Sequence, residues 1–480
     1  MNKRFFIRIL PYVICFLFFI SYSTLAVVRH NHYQSFGYDL GINDQTVWKY
    51  SKLRIPLSTL APFSDKLKFA EHVELIYAVI APAYWIWSSP IMLILLQAAS
   101  ICLSAVLVYR LARKYEIAEI VSNIIMIAYL MFYGVQFALW TDVHSSVFAA
   151  ACVTAFIYFL DLRKHKLTIL FFLLSITAKE SVGSAIFLIS GVYYWYRWEK
   201  ILLFYLFGSV IYMLFIFYVF FPYVMHVPYL YANKGGLFSN LNPIDMVNTQ
   251  ENRATIFYSF ASWGFLTLLS PATLLPIFGH FYKFFVLASN QGGAQGLFGQ
   301  YRVGLAPLFA FSSIWVLKRF GHRLQMWLGL WLLASTLFFQ YFLHLPLSYL
   351  IKPWFWEESP VVKNINKLIT YIPENASLVA QDNIVPHVSE RDSIFTLWST
   401  TKEFKKNSPC GKIICNWLSW DGRPQYLIVD TSLEWDSRHL LANRQDFVSG
   451  LQNIEREGII KKYKNIGNAT LYRVVLSVDR

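Results

Sequence analysis

Runs of apolar residues recur along this chain, and most end in a cluster of Lys and Arg. A bilayer core about 30 Å thick takes about 20 such residues per helix, and cytoplasmic loops carry the excess of basic residues. The first run, 8–28, starts behind Lys3, Arg4 and Arg8. No small-x-small cleavage site closes it and many runs follow, so it reads as an uncleaved first span. That orientation puts the 29–72 loop outside. The next stretch, 72–87, is apolar but short and ends in Trp85, Trp87 and Pro90, which suits an interfacial or strongly tilted helix.

With 72–87 lying at the interface, the charges alternate. Residues 91–109 run in to Arg110, Arg113 and Lys114; 118–139 run out to Asp142 and His144; 146–161 return to Arg163, Lys164 and Lys166. Residues 167–178 go out to Lys179-Glu180, 182–196 come back to Arg197 and Lys200, and 201–221 go out again. The stretch 255–287 breaks at Ser270-Pro271 and again at Pro276, and Lys283 is its only charge. It reads as a pair of short helices dipping in from the outer face. Residues 303–317 run in to Lys318, Arg319 and Arg323, and 324–343 run out, giving about ten spans in all.

The charged share of 15% against 56% hydrophobic residues excludes an ordinary soluble domain. The net charge of +14 suggests nucleic acid at first sight, but the basic residues sit at the ends of apolar runs, where the membrane explains them. Of the five cysteines, Cys15, Cys102 and Cys152 lie in apolar segments; Cys410 and Cys415 lie in the polar tail and could pair or stay free. From Lys352 onward the composition turns polar and mixed. Helices are expected over 361–371 and 445–462, and strands over 377–380, 393–397, 426–429 and 469–476. The chain therefore divides into a transmembrane domain, 1–351, and a small extracytoplasmic α/β domain, 352–480.

The acids of so apolar a chain are concentrated in the first loop, with Asp39, Asp44, Asp65, Glu71 and Glu74. Asp39 lies between Gly37 and Gly41, where the backbone can turn tightly and present a carboxylate; it equally suits a helix N-cap. Asp44 fits a first helical turn. The topology brings Asp39, Asp44, Glu71, His72, Asp142, His144, Lys179, Glu180, Tyr301 and Arg302 to one membrane surface, where ionisable groups tend to mark function. His72, Asp142 and His144 could hold a divalent metal, the one cofactor these residues suggest. Lys179 could bind phosphate or simply pair with Glu180, and Arg302 could clamp a pyrophosphate or cap the next helix.

Taken in order, Asp39, Gln45-x-x-Trp48, Glu71-His72, Ala81-Pro82-x-Tyr84, Leu96-Gln97-Ala98, Asp142-x-His144, Lys179-Glu180 and Tyr301 resemble a family of prokaryotic multi-pass membrane proteins described as a domain of unknown function. The tail carries the same resemblance in Ile372-Pro373-Glu374-Asn375, Pro386-His387-Val388-Ser389-Glu390-Arg391 and Tyr426-Leu427-Ile428-Val429-Asp430. The chain departs from the family at Val73 and Val143, where an aromatic residue is usual. That family is distantly similar to the GT-C glycosyltransferases. The resemblance implies a GT-C-like polytopic helical fold in the plasma membrane and a polyprenyl-phosphate-linked sugar as partner, used at the extracytoplasmic face. It implies Asp39 as general base for inverting transfer, with Asp44 and Glu71 as further catalytic candidates. Lys179 and Arg302 would offset the charge of the departing phosphate, and His72, Asp142, His144, Glu180 and Tyr301 would line the substrate site. A lipid-linked glycan transporter or flippase would also use intramembrane charges and broken helices, and a non-catalytic cell-envelope assembly protein would use the α/β domain as its working part.

Overall fold

The computed structural model of the protein describes residues 3–60, 67–229, 231, 241–287, 294–399, 418–420, 422–432 and 444–475. Asp65, Cys410 and Cys415 lie outside the described residues. The helices in chain order are α1 (Lys3–Asn31), α2 (Ile42–Ser51), α3 (Ile76–Ile80), α4 (Pro90–Lys114), α5 (Glu119–Met131), α6 (Tyr133–Trp140), α7 (Ser145–Asp161) and α8 (His165–Ala178). They continue with α9 (Gly183–Arg197), α10 (Lys200–Phe215), α11 (Gln250–Ser262), α12 (Pro271–Tyr282), α13 (Leu305–Leu317), α14 (His322–Phe342), α15 (Pro360–Ile369) and α16 (Arg444–Arg456).

Two compact units divide the chain, and the division differs from a single cut at 351. One unit holds Met1–Val27, Phe69–Ile80 and Ile91–Phe355; the other holds Val28–Lys68, Ala81–Pro90 and Trp356–Arg480. The first loop therefore belongs with the polar tail. The reason is hydrophobic: Ile42 and Leu60 of that loop are buried in one core with Ile365, Leu368 and Ile384.

In the helical unit, α13 is buried along its whole length, Leu305–Leu317, and is apolar all round, as a helix enclosed on every side must be. α7 pairs with α8, α9 with α10 and α12, and α5 with α14. The ends of α4, α7 and α9 are tied by one acid: fully buried Asp161 accepts from Lys114 Nζ at 2.5 Å, Arg197 at 2.8 Å and the Tyr115 hydroxyl at 2.7 Å. Buried ion pairs hold only when such extra hydrogen bonds satisfy the carboxylate, and here they do.

Among the described residues, three helices are long and apolar enough to cross a membrane: Ile9–Asn31, Pro90–Lys114 and Lys200–Val224. α5 and α6 make a fourth if counted as one span bent by 43°. The expectation of about ten full spans is not met by length and composition. Several expected spans are helices of 13 to 17 residues, α7, α8, α9 and α13, too short to cross about 30 Å upright at 1.5 Å per residue. The helical stretch Ile76–Trp85 is likewise short of a span. The break at Ser270-Pro271 is present, since α12 starts at Pro271 behind a 3-10 turn at Leu266–Leu269. No break occurs at Pro276, which lies inside α12, and the helix continues as a π-turn over Lys283–Leu287.

The second unit is built on a five-stranded sheet. β1 (Leu378–Ala380) pairs in parallel with β2 (Ile394–Thr396) and with β5 (Tyr426–Asp430). β7 (Ala469–Val474) runs antiparallel to β5 and to β6 (Ile460–Ile466), giving the order β2-β1-β5-β7-β6. β3 (Trp398–Ser399) and β4 (Leu418–Ser419) form a separate antiparallel pair. The expected helix over 445–462 stops at Arg456 because Gly458, at φ +74°, ends it in the left-handed region, and β6 follows. α15 packs on one face with Ile365 and Leu368, and Phe447, Leu451 and Ile454 of α16 cover the other. Full burial of such a side chain contributes about 1.5–3 kcal/mol.

Candidate functional site

The sequence-derived candidates fall into the two units, each with its own chemistry. In the sheet-containing unit, Asp39 lies on a π-turn, Gly37–Gly41, that leads directly into α2. The turn is held from the tail: Gly37 N donates to the Asp382 carbonyl at 2.7 Å and Tyr38 N to Asp382 Oδ1 at 3.2 Å. A Cβ at Gly37 would stand 2.7 Å from Val385 Cβ, and one at Gly41 2.8 Å from Val385 Cγ1, so only glycine permits this approach. Asp39 is half-buried there.

Asp44, one helical turn further on, is fully buried. The Tyr84 hydroxyl donates to its Oδ1 and the Ser389 hydroxyl to its Oδ2, the latter at 2.7 Å. Burial pushes its carboxyl well above the ordinary range, Glu390 nearby pushes the same way, and the two hydrogen bonds pull only partly back. Burial likewise raises Glu390, whose Oε2 accepts from Ser88 at 2.8 Å. Asp44 is thus enclosed by partners, whereas Asp39 keeps exposed surface.

In the helical unit, the Glu71-His72 pair is built into a network with Glu180. His72 Nδ1 donates to Glu180 Oε1 at 2.8 Å, Val73 N to Glu180 Oε2 at 3.2 Å, and the Tyr229 hydroxyl to Glu180 Oε1 at 3.0 Å. The Tyr231 hydroxyl donates to Glu71 Oε1 at 2.9 Å, and the His72 and Tyr231 rings stack with centroids 4.5 Å apart. Burial alone would raise the Glu180 carboxyl; His72, its hydrogen bond and Lys179 outweigh that and hold it down at about 2. Lys179 closes α8 in an extended conformation, and Glu180 then starts a short 3-10 turn.

A cavity of about 330 Å³ lies beside this network. Its walls include apolar side chains of α7 and α10, among them Ala149, Val153 and Met213, and Phe217 of the π-helical turn that follows α10. Its polar groups include Lys179, Lys283, Ser181, His280, Tyr229 and Tyr231. Lys283 Nζ donates to Ser181 Oγ at 3.2 Å and stands 4.4 Å from the centre of the Phe284 ring. His280 Nε2 donates to the Tyr301 carbonyl at 2.9 Å, and Tyr301 also lines the cavity. Two lysines inside an apolar envelope suit an anionic head carried on a hydrocarbon chain.

Arg302 does not line this cavity. It is fully buried, with Nε donating to Gly296 O at 3.3 Å and a terminal nitrogen donating to Ala294 O. Its guanidinium lies over Phe284 and Phe285, about 5 Å from each ring centre. Two of its donor groups fix its own loop.

Asp142 and His144 serve a turn clamped by Gln97, whose amide donates to the Asp142 carbonyl at 2.9 Å and accepts from His144 N at 2.7 Å. Asp142 takes φ 92°, a conformation that redirects the chain into α7. Among the described residues no group of three or more His, Cys, Asp or Glu is placed to hold a metal ion, so His72, Asp142 and His144 are not brought together as a ligand set. Lys283 and His280 were not among the expected site residues. A charge inside an apolar stretch was the available signal for Lys283.

The model of a family of predicted membrane proteins, DUF2079, matches residues 29–445, from the first loop to the start of α16. The chain belongs to that family. None of the curated proteins matches this DUF2079 member by sequence. Among solved structures, its fold is similar to the crystal structure of ArnT from Cupriavidus metallidurans bound to undecaprenyl phosphate, with a TM-score of 0.59 over 98% of both chains at 11% identity. At that identity the likeness is one of fold. It agrees with the GT-C-like helical architecture expected from the sequence.

Proposed function

We propose that this DUF2079 protein is a membrane glycosyltransferase-like enzyme that takes a sugar from a polyprenyl-phosphate carrier. The cavity carries the reading: apolar walls from α7 and α10 offer a place for an isoprenoid chain, and Lys179 and Lys283 offer charge to its phosphate. The fold shared with ArnT, whose crystal structure holds undecaprenyl phosphate, supports the same class of lipid partner.

The chemistry follows from what the transfer requires. An acceptor hydroxyl attacks the anomeric carbon in line, the bond from that carbon to the carrier oxygen breaks, and the configuration inverts. The carrier leaves with the electron pair and gains negative charge. Lys179 and Lys283 offset this gain, a contribution of the kind worth about 10²–10³-fold per donor. The hydroxyl proton goes to Asp39, assigned as base on the first-loop resemblance and on its exposed surface, in contrast to enclosed Asp44. The reaction takes place at the extracytoplasmic face of the plasma membrane, where such carriers present their sugars.

The test is binding of undecaprenyl phosphate to the purified protein in nanodiscs. Lys283→Gln and Lys179→Gln are expected to weaken binding at least tenfold each with unchanged melting midpoint. Unchanged affinity in both variants would remove the cavity from the reading.

A further inference from the structure

We propose that Tyr229 and Tyr231 form the wall of the cavity against which the sugar of the lipid-linked donor lies. The inference rests on the cavity being the donor site and assigns one end of it to the glycosyl group.

Both tyrosines line the cavity, and both are fixed from behind. Tyr231 is backed by the His72 ring, stacked at 4.5 Å with an interplanar angle of 4°. Tyr229 is backed by Phe221 at 5.1 Å and braced from the side by Phe217, itself a wall residue, at 4.8 Å. The two tyrosines meet edge to face, 5.8 Å apart at 67°, so the wall is a corner of two aromatic surfaces. Their hydroxyl protons are committed to buried acids, Tyr231 to Glu71 at 2.9 Å and Tyr229 to Glu180 at 3.0 Å. Each phenol has donated its proton, so towards a ligand its oxygen can act only as an acceptor.

Three parts of a lipid-linked sugar compete for this corner. An isoprenoid chain gains nothing from hydroxyls tied to buried carboxylates, since desolvating such groups costs free energy that the Val, Met and Leu walls do not incur. A phosphate would be repelled by Glu71 and Glu180 behind the rings. A sugar ring needs what the corner supplies: an aromatic face for its C–H surface and acceptors for its hydroxyls. Lys179 lines the same cavity as the two tyrosines, so a cation that could take the phosphate shares the chamber with this wall. On this assignment Glu71, His72 and Glu180 are positioning residues, acting through the two tyrosines.

The experiment compares binding of undecaprenyl phosphate with that of its glucosyl, galactosyl and mannosyl derivatives, using the full chain in nanodiscs. Wild type is expected to bind at least one glycosylated carrier more tightly than the bare one. Tyr231→Leu is expected to weaken that carrier by about 2- to 12-fold, the range of an aromatic contact, and to leave bare undecaprenyl phosphate unchanged. His72→Gln removes the backing ring and is expected to shift selectivity the same way, so the inference does not depend on Tyr231→Leu folding. Lys283→Gln is expected to weaken both ligands alike. If wild type shows no preference for any glycosylated carrier, or if the tyrosine and histidine variants weaken both ligands equally, the sugar does not lie on this wall. If wild type binds neither class, the donor-site reading itself fails.

Discussion

The Ser389 hydroxyl donates to Asp44 Oδ2 at 2.7 Å, joining residues 345 positions apart in the chain. The first loop is therefore part of the same packed body as the tail, and an acid that resembles a catalytic candidate is enclosed there. In Asp44→Ala the Tyr84 hydroxyl would lose its acceptor, and Ser389 would keep only its bond to the Pro386 carbonyl at 3.1 Å. An orphaned buried hydroxyl costs about 1–3 kcal/mol, so the melting midpoint of that variant should drop by several degrees. Asp44→Asn keeps an acceptor of the same shape and should melt close to wild type near neutral pH, because the enclosed carboxyl favours its proton-bound form. Equal losses in the two variants, read by thermal unfolding in detergent, would contradict this account.

Two buried carboxyls with opposite shifts predict opposite pH limbs. The Asp44 carboxyl is raised by burial and Glu390. Between the unfolded value of about 4 and the higher folded one, the native state keeps a proton that the unfolded chain has lost, so stability falls as pH rises through that window. The Glu180 carboxyl is held at about 2 by His72 and Lys179 against its burial. Its contribution is complete above an unfolded value of about 4.3 and is lost as pH falls towards 2. Melting midpoints across pH should show the fall above pH 4 flattened in Asp44→Asn, and the acid fall flattened in Glu180→Gln.

The parts of the fold that were legible in the sequence are those fixed locally. The break at Ser270-Pro271 could be read because proline lacks an amide proton and favours the first turn of a helix. Strands β1, β2 and β5 could be read from short apolar runs between turn residues. Two kinds of feature were not legible. One is pairing over distance: His72 meets Glu180 across 108 positions, and nothing in either neighbourhood encodes the partner. The other is what a charged side chain does once buried. Arg302 follows a glycine-rich stretch and looks like a ligand clamp, yet it serves its own loop carbonyls. Lys283 looks incidental in an apolar stretch, yet it reaches the cavity. The unit boundary was missed for a related reason, since Ile42 and Leu60 find their core in residues more than three hundred positions away, roughly the whole helical portion of the chain.

The basic clusters predict a sidedness that reporter fusions can check. A fusion after Arg323, which follows Lys318 and Arg319 between α13 and α14, should report cytoplasm. A fusion at Arg480 should report the extracytoplasmic side. A cytoplasmic signal from Arg480 would separate the tail and the first loop packed with it from the face where lipid-linked sugars are used.

Asp39→Asn is the decisive substitution for the chemistry. The amide preserves the shape of the carboxylate on the π-turn, whose backbone is already anchored through Asp382, so the fold should survive. What the amide cannot do is take a proton. General-base assistance is worth about 10²–10⁴-fold, and single-turnover transfer from an undecaprenyl-phosphate sugar should fall by at least the lower figure. Binding of undecaprenyl phosphate should not change, because that depends on Lys179 and Lys283. Asp44→Asn, whose carboxyl is enclosed by Tyr84 and Ser389, should lose less. Glu71→Gln should act through Tyr231 and raise KM more than it lowers kcat. If Asp39→Asn turns over like wild type while Glu71→Gln is dead, the proton acceptor is the acid behind the cavity wall. If all three variants are active, neither the first loop nor Glu71 supplies the base.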